Sequence, residues 1–198
     1  MALEGKNIII LESSDQGGKS SLSQYLHNYV NGKCHVLHSN FMPDLPKENH
    51  RRQHFLMSRF ASKQFDSKHY TGNRLVILDR NYISDIIYGK IKYGSRGSFE
   101  QKISTLNKLF KILTKNKDVR VSIIYCRPEK ESFFEKDKKE ELLSLKQNQF
   151  IQKFYDDFFE SSEFFEVLIM NNIYFYHYDY ISDPNYEQLI KEIEFNEE

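Results

Sequence analysis

Hydrophobic and polar positions follow two periods along the chain. Short apolar runs rich in β-branched and aromatic residues recur at Asn7–Leu11, Cys34–Ser39, Leu75–Asp79, Val119–Tyr125 and Ile173–Tyr178. The first and third lack polar alternation and the fourth is only lightly interrupted, which predicts strands buried on both faces, as in a parallel sheet. Helical stripes lie between them. Leu22, Tyr25, Leu26, Tyr29 and Val30 keep i, i+3, i+4, i+7, i+8 spacing, and Asn31-Gly32 supplies a stop. Phe55, Leu56 and Phe60 predict a second helix, and Ile103, Leu106, Leu109, Phe110 and Leu113 a third. Phe150, Phe154, Phe158 and Phe159 predict a fourth, and Tyr186, Leu189, Ile190 and Ile193 a terminal one. Strand–helix alternation of this kind predicts an α/β fold, layered α/β/α around a five-stranded parallel sheet. No repeat and no Pro/Gly/Ser linker interrupts it, so residues 1–198 read as a single domain. Glu129–Lys146 stands apart, dense in Lys and Glu with few apolar residues after Phe134. It reads as a solvated helix or a short charged lid over residues 129–147.

Composition changes this picture in three places. The chain is only 39% hydrophobic, but 16 Phe and 13 Tyr raise the aromatic share to 15%, enough for an aromatic core beneath a wet surface. Lys and Arg number 28 against 28 Asp and Glu, so the chain lacks the basic excess of a general nucleic-acid binder. Cys34 and Cys126 lie far apart with no CxxC or Cys/His ladder, which excludes an evident zinc site or disulfide scaffold and fits the reducing cytoplasm. The seven histidines show no ligand spacing. The apolar run near the start is flanked by charge and is too short for a signal peptide or a membrane span.

The chemistry begins after the first apolar run, at Leu11-Glu12-Ser13-Ser14-Asp15-Gln16-Gly17-Gly18-Lys19-Ser20-Ser21. A phosphate-binding loop has Gly, four residues, then Gly-Lys-Ser/Thr, between a strand and a helix. Gly18-Lys19-Ser20 fits, and Gly17 adds backbone freedom. Ser13 stands where the first Gly belongs, which the turn accepts only with a negative φ there or by absorbing strain. Backbone N–H groups at the start of the next helix would face a phosphate, and the helix dipole favours the anion. In that pattern Lys19 bridges the outer phosphates of a donor nucleotide and the Ser20 hydroxyl contacts Mg²⁺. The expected nucleotide contacts are Ser13, Ser14, Gln16, Gly17, Gly18, Lys19, Ser20 and Ser21.

This loop resembles that of the thymidylate kinases, Phe/Leu-Glu-Gly-x-Asp-x-x-Gly-Lys-Ser/Thr. Leu11, Glu12, Asp15, Gly18, Lys19 and Ser20 match it, and Ser13 does not. A second block, Val76-Ile77-Leu78-Asp79-Arg80-Asn81-Tyr82-Ile83-Ser84-Asp85-Ile86-Ile87-Tyr88, resembles the family's strand ending in Asp-Arg-Tyr, followed by a Ser and an aromatic. Asp79, Arg80, Ser84 and Tyr88 keep the spacing, while Asn81 replaces the Tyr. Ligands bind at the C-terminal ends of strands in such sheets. The resemblance implies that Arg80 holds the acceptor phosphate, that Asp79 lies near Mg²⁺ and the phosphates, and that Asp15, Lys19 and Arg80 are catalytic. It also implies that Phe55 stacks on a pyrimidine that Arg59 hydrogen-bonds; their i, i+4 spacing puts both on one helix face. Phe41-Met42-Pro43 resembles an Arg-Phe/Glu-Pro turn that contributes Phe41 and Pro43 to the substrate site, with Asn40 in place of the Arg. Arg51 and Arg52 either compensate for that cation or are exposed helix arginines.

As a whole the resemblance implies a P-loop kinase fold and a two-fold homodimer. The implied activity is ATP- and Mg²⁺-dependent phosphorylation of a pyrimidine deoxynucleoside monophosphate, dTMP or a 5-substituted dUMP. Members of the family carry a catalytic Arg in the phosphate loop or the lid. Here the loop has Gln16, the lid region offers Lys136, Lys138, Lys139 and Lys146, and no Arg follows Arg127. Either a Lys substitutes, Arg127 reaches in, or the enzyme is slow. Two other readings compete. A deoxynucleoside kinase must deprotonate a sugar hydroxyl, for which Glu12 or Asp44 is a candidate base. A nucleotide-binding regulatory module with little catalysis would suit Ser13 and the missing lid Arg. The surplus of Ile, Lys, Asn, Phe and Tyr is that of an AT-rich genome such as a virus's, for which the location would be the host cytoplasm.

Overall fold

The apolar runs assemble into one sheet, the three central ones buried on both faces and the two outer ones only partly. The computed structural model describes residues 5–14, 17–39, 47–66, 74–93, 98–128 and 145–195. In chain order the elements are β1 (Lys6–Glu12), α1 (Lys19–Tyr29), β2 (Cys34–His38), α2 (Lys47–Lys63), β3 (Leu75–Asp79) and α3 (Tyr82–Tyr93). They continue with α4 (Phe99–Leu113), β4 (Val119–Cys126), α5 (Leu145–Phe159), α6 (Ser162–Asn171), β5 (Tyr174–Tyr178) and α7 (Glu187–Phe195). The five strands run parallel in the order β2-β3-β1-β4-β5.

β1 lies at the centre. Its Ile8 and Ile10 enter one core, and Ile9 and Leu11 enter the other. This is why the run shows no polar alternation. The first core takes α2 to α6 through Ala61, Ile83, Leu106, Tyr155 and Phe164. The second takes α1 and α7 through Leu22, Leu26, Leu189 and Ile193. The three layers of the expected α/β fold are therefore present. α1 stops as expected, with Asn31 and Gly32 both at positive φ.

The helices depart from expectation where aromatic residues mislead. Leu56 and Phe60 of α2 are exposed, and its inward face is His54, Ser58 and Ala61. Phe150 of α5 is exposed, whereas Ile151, Tyr155, Phe158 and Phe159 are buried. α3 and α6 were not expected as separate helices. Cys126 is buried and Cys34 half-buried. Burial pushes their thiols up to about 12 and about 11, so neither is a ready thiolate at neutral pH. Asp15, Gln16, Asn40, Phe41, Pro43, Asp44 and most of the expected lid lie outside the described residues. Among the described residues no helix is long and apolar enough to cross a membrane.

Candidate active site

β1 feeds the chain into the Gly-Lys-Ser loop at the C-terminal edge of the sheet. Ser13 and Ser14 are buried there. Ser13 is not among the positive-φ residues, so the turn needs no glycine at that position. Its hydroxyl donates to the Ser14 carbonyl at 2.5 Å and accepts from Lys19 Nζ at 3.0 Å. The space it fills is taken from Gly17. A Cβ on Gly17 would fall 2.5 Å from Ser13 Cβ and 2.9 Å from the Cys126 carbonyl oxygen. A serine at 13 is thus accommodated by a glycine at 17.

Gly18 starts α1 with φ 84 and ψ 2, no side-chain cap, and no acidic residue in the first turn. Gly18 offers no side-chain cap to the leading N–H groups of α1, and no acidic residue of the first turn opposes the positive end of the helix dipole. Lys19 is buried, while Ser20 and Ser21 are exposed on the first turn. A Cβ on Gly18 would fall 2.7 Å from the Tyr180 ring, which closes the far side of the loop. An anion at this helix start would meet backbone N–H groups and an ammonium together.

The turn after β3 is tied to the end of β1. Leu11 pairs with Asp79 in register, and Arg80 N–H donates to the Leu11 carbonyl at 2.9 Å. Arg80 has φ 67, a left-handed conformation that costs a non-glycine residue about 1 kcal/mol or more. The next residues hold it there. Glu12 accepts from Asn81 N–H at 2.7 Å, from the Ser84 hydroxyl at 2.5 Å and from the Tyr155 hydroxyl at 3.1 Å. Glu12 is 0% exposed. Desolvation pushes its carboxyl up to about 6, against the opposing pull of Ser84, Arg80, Asn81 and Tyr155. The Arg80 guanidinium lies 4.8 Å over the Tyr88 ring. Ser84 and Tyr88, expected as substrate contacts, are thus brought next to Arg80 in a structural network. Asp79 Oδ2 lies at hydrogen-bond distance, 2.9 Å, from His38 Nδ1, and its buried Oδ1 has no partner among the described residues.

On α2, Phe55 is half-buried and Arg59 exposed, one turn apart. Arg51, one turn before Phe55, lies 6.0 Å from its ring centroid. The neighbouring face is fixed inward. His54 Nε2 contacts Asp85 Oδ2 at 2.8 Å, and the imidazole packs edge-on against Tyr82 at 5.8 Å. Phe55 and Arg59 are therefore presented by a helix anchored to α3. His38, His54 and Tyr155 carry no local signal, because each is recognisable only from a partner distant in the chain.

Mg²⁺ binding asks for one or two hard oxygen donors, with phosphates and water completing the shell. The Ser20 hydroxyl and the unpartnered Asp79 Oδ1 fit that requirement. Among the described residues there is no cluster of three His, Cys, Asp or Glu that could hold a metal alone.

No protein-family model matches this chain, and no curated protein matches its sequence. Solved structures do match. The YorR protein of Bacillus subtilis, in complex with phosphorylated GDP, is 18% identical with a TM-score of 0.59, over 96% of both chains. Thymidylate kinase from Candida albicans is 17% identical with a TM-score of 0.52, over 97% of this chain and 92% of that one. Polyphosphate kinase 2 from Arthrobacter aurescens TC1 is 12% identical with a TM-score of 0.55, over 87% of this chain and 60% of that one. The chain thus has the P-loop kinase fold, and a thymidylate kinase shares it along nearly its whole length.

Proposed function

We propose that the protein transfers the terminal phosphoryl group of ATP to a pyrimidine deoxynucleoside monophosphate, dTMP or a 5-substituted dUMP. The observation that carries this reading is the meeting of two cationic sites at neighbouring strand ends. Lys19 follows β1 through the loop, and Arg80 follows β3, with its backbone bonded to β1. One suits the donor phosphates and the other an acceptor phosphate, with Phe55 and Arg59 offered to the base. An acceptor phosphate attacks already ionised, so the site needs charge neutralisation and positioning rather than a strong base. Mg²⁺, held by Ser20 and Asp79, would supply further neutralisation of the donor phosphates.

Glu12 also speaks for a monophosphate acceptor over a nucleoside. A base for a sugar hydroxyl must reach its substrate. Glu12 is fully buried, and its carboxylate is engaged by Asn81, Ser84 and Tyr155. Its work is to hold the Arg80 turn. The active unit is read as a cytoplasmic homodimer, which sedimentation at several protein concentrations tests.

The deciding experiment measures the phosphorylated acceptor formed from ATP·Mg²⁺ with dTMP, 5-substituted dUMPs, purine monophosphates and thymidine. The expected result is product from dTMP or a 5-substituted dUMP and none from thymidine. Consumption of thymidine alone, or ATP binding without transfer to any acceptor, overturns the reading.

A further inference from the structure

Arg127 is a charged residue that the reading above leaves without a role. Three adjacent strands of the sheet, β3, β1 and β4, each lead into a cation: Arg80, Lys19 and Arg127. Adjacent strands lie about 4.8 Å apart, so Arg80 and Arg127 flank the phosphate loop at about 10 Å from each other in backbone terms, within reach of a group above β1. The last residue of β4 touches the loop itself: the Cys126 carbonyl oxygen lies 2.9 Å from where a Gly17 Cβ would be. Arg127 comes next, and its N–H is fixed to the Tyr178 carbonyl at 2.8 Å.

Its side chain is held by an exchangeable partner. Arg127 Nε donates to Asp156 Oδ1 at 2.8 Å, and the two side chains are 31% and 24% exposed. The same Asp156 oxygen accepts from the Tyr125 hydroxyl at 2.8 Å. If Arg127 left, the carboxylate would keep that donor and its access to water. Moving the guanidinium therefore leaves the Asp156 carboxylate partnered and partly solvated, unlike the breaking of a buried pair. A polyphosphate is a stronger competitor than one half-solvated carboxylate, since it offers several oxygens and more charge to a guanidinium.

We propose that Arg127 is a ligand of the donor nucleotide's outer phosphates, exchanging Asp156 for them when the nucleotide binds. The inference rests on the reading of the loop as a donor site. It assigns to the end of β4 the cation that Gln16 does not supply.

The test compares binding of ATP·Mg²⁺ and of AMP by calorimetry, to the full chain and to Arg127→Ala, Arg127→Lys and Asp156→Asn. AMP lacks the outer phosphates and reports on the rest of the site. Arg127→Ala should weaken ATP by about tenfold or more and leave AMP within about twofold. Asp156→Asn, which removes the competitor, should bind ATP as tightly as the parent chain or more tightly. If Arg127→Ala binds ATP like the parent, or weakens ATP and AMP alike, the proposal is wrong. It is equally wrong if Asp156→Asn weakens ATP as Arg127→Ala does, since the pair would then be structural. If Arg127→Ala does not fold, Arg127→Gln, which keeps a long polar side chain and removes the charge, decides by the same comparison, and Arg127→Lys should retain part of the ATP affinity. Failure of the donor-site reading looks different, because the parent chain would then bind no ATP at all.

Discussion

Glu12 illustrates how much one buried residue constrains its surroundings. Its carboxyl is the acceptor for a backbone N–H from the Arg80 turn and for hydroxyls from α3 and α5. Removing it from water still costs more than these bonds return, since its pKa is raised from 4.5 to about 6. The folded state therefore binds that proton more tightly than the unfolded state. Between pH 4.5 and about 6 the contribution of Glu12 to stability falls as pH rises, and it is level above that range. The drop is about 2 kcal/mol. Glu12→Gln keeps the shape and cannot ionise, so the descending limb attributable to this group should vanish. Urea unfolding of both forms between about pH 4 and about pH 7 measures it; an unchanged limb would assign the titration to another residue.

α2 shows how one element can separate binding from stability. Arg59 is exposed and His54 is 2% exposed, though they lie little more than a turn apart. Arg59→Ala should raise the acceptor KM about tenfold, leaving the ATP KM and the melting temperature unchanged. His54→Ala should do the reverse, costing about 1–3 kcal/mol by leaving Asp85 without its partner. Steady-state kinetics and thermal unfolding of the two variants check this, and equal effects on both properties would contradict the two-faced helix.

The helix itself was legible in the sequence, but its inward face was not. Leu56 and Phe60 are the more apolar residues, yet the anchor is a histidine whose partner Asp85 sits on another helix. α6 was hidden for a related reason. Phe164, Phe165, Val167, Leu168, Ile169 and Met170 form a nearly continuous apolar stretch, in which no stripe stands out from its neighbours. By contrast, the buried strands and the Gly-Lys-Ser loop announce themselves locally. The same contrast holds in the site: Lys19 and Arg80 are motif residues, whereas the acceptors and donors around Glu12 come from three separate elements.

At the scale of the molecule, one aromatic cluster ties two helices to the edge of the sheet. Phe164 packs against Phe158, Phe159 and Phe175 at ring-centroid distances of 5.1, 5.1 and 5.8 Å, joining α5, α6 and the edge strand β5. Phe164→Ala should lower unfolding free energy by about 3–5 kcal/mol with turnover per folded molecule unchanged. Denaturant melts and active-site-normalised rates test it; a matching loss of turnover would mean that this aromatic cluster governs the site. The strand order carries one last consequence, for synthesis. β1 leaves the ribosome before either of the strands that enclose it, and the nascent chain must keep an apolar run waiting until Cys126 has emerged. The phosphate loop is written early but can be finished only late, so no N-terminal fragment ending before β4 should retain nucleotide binding.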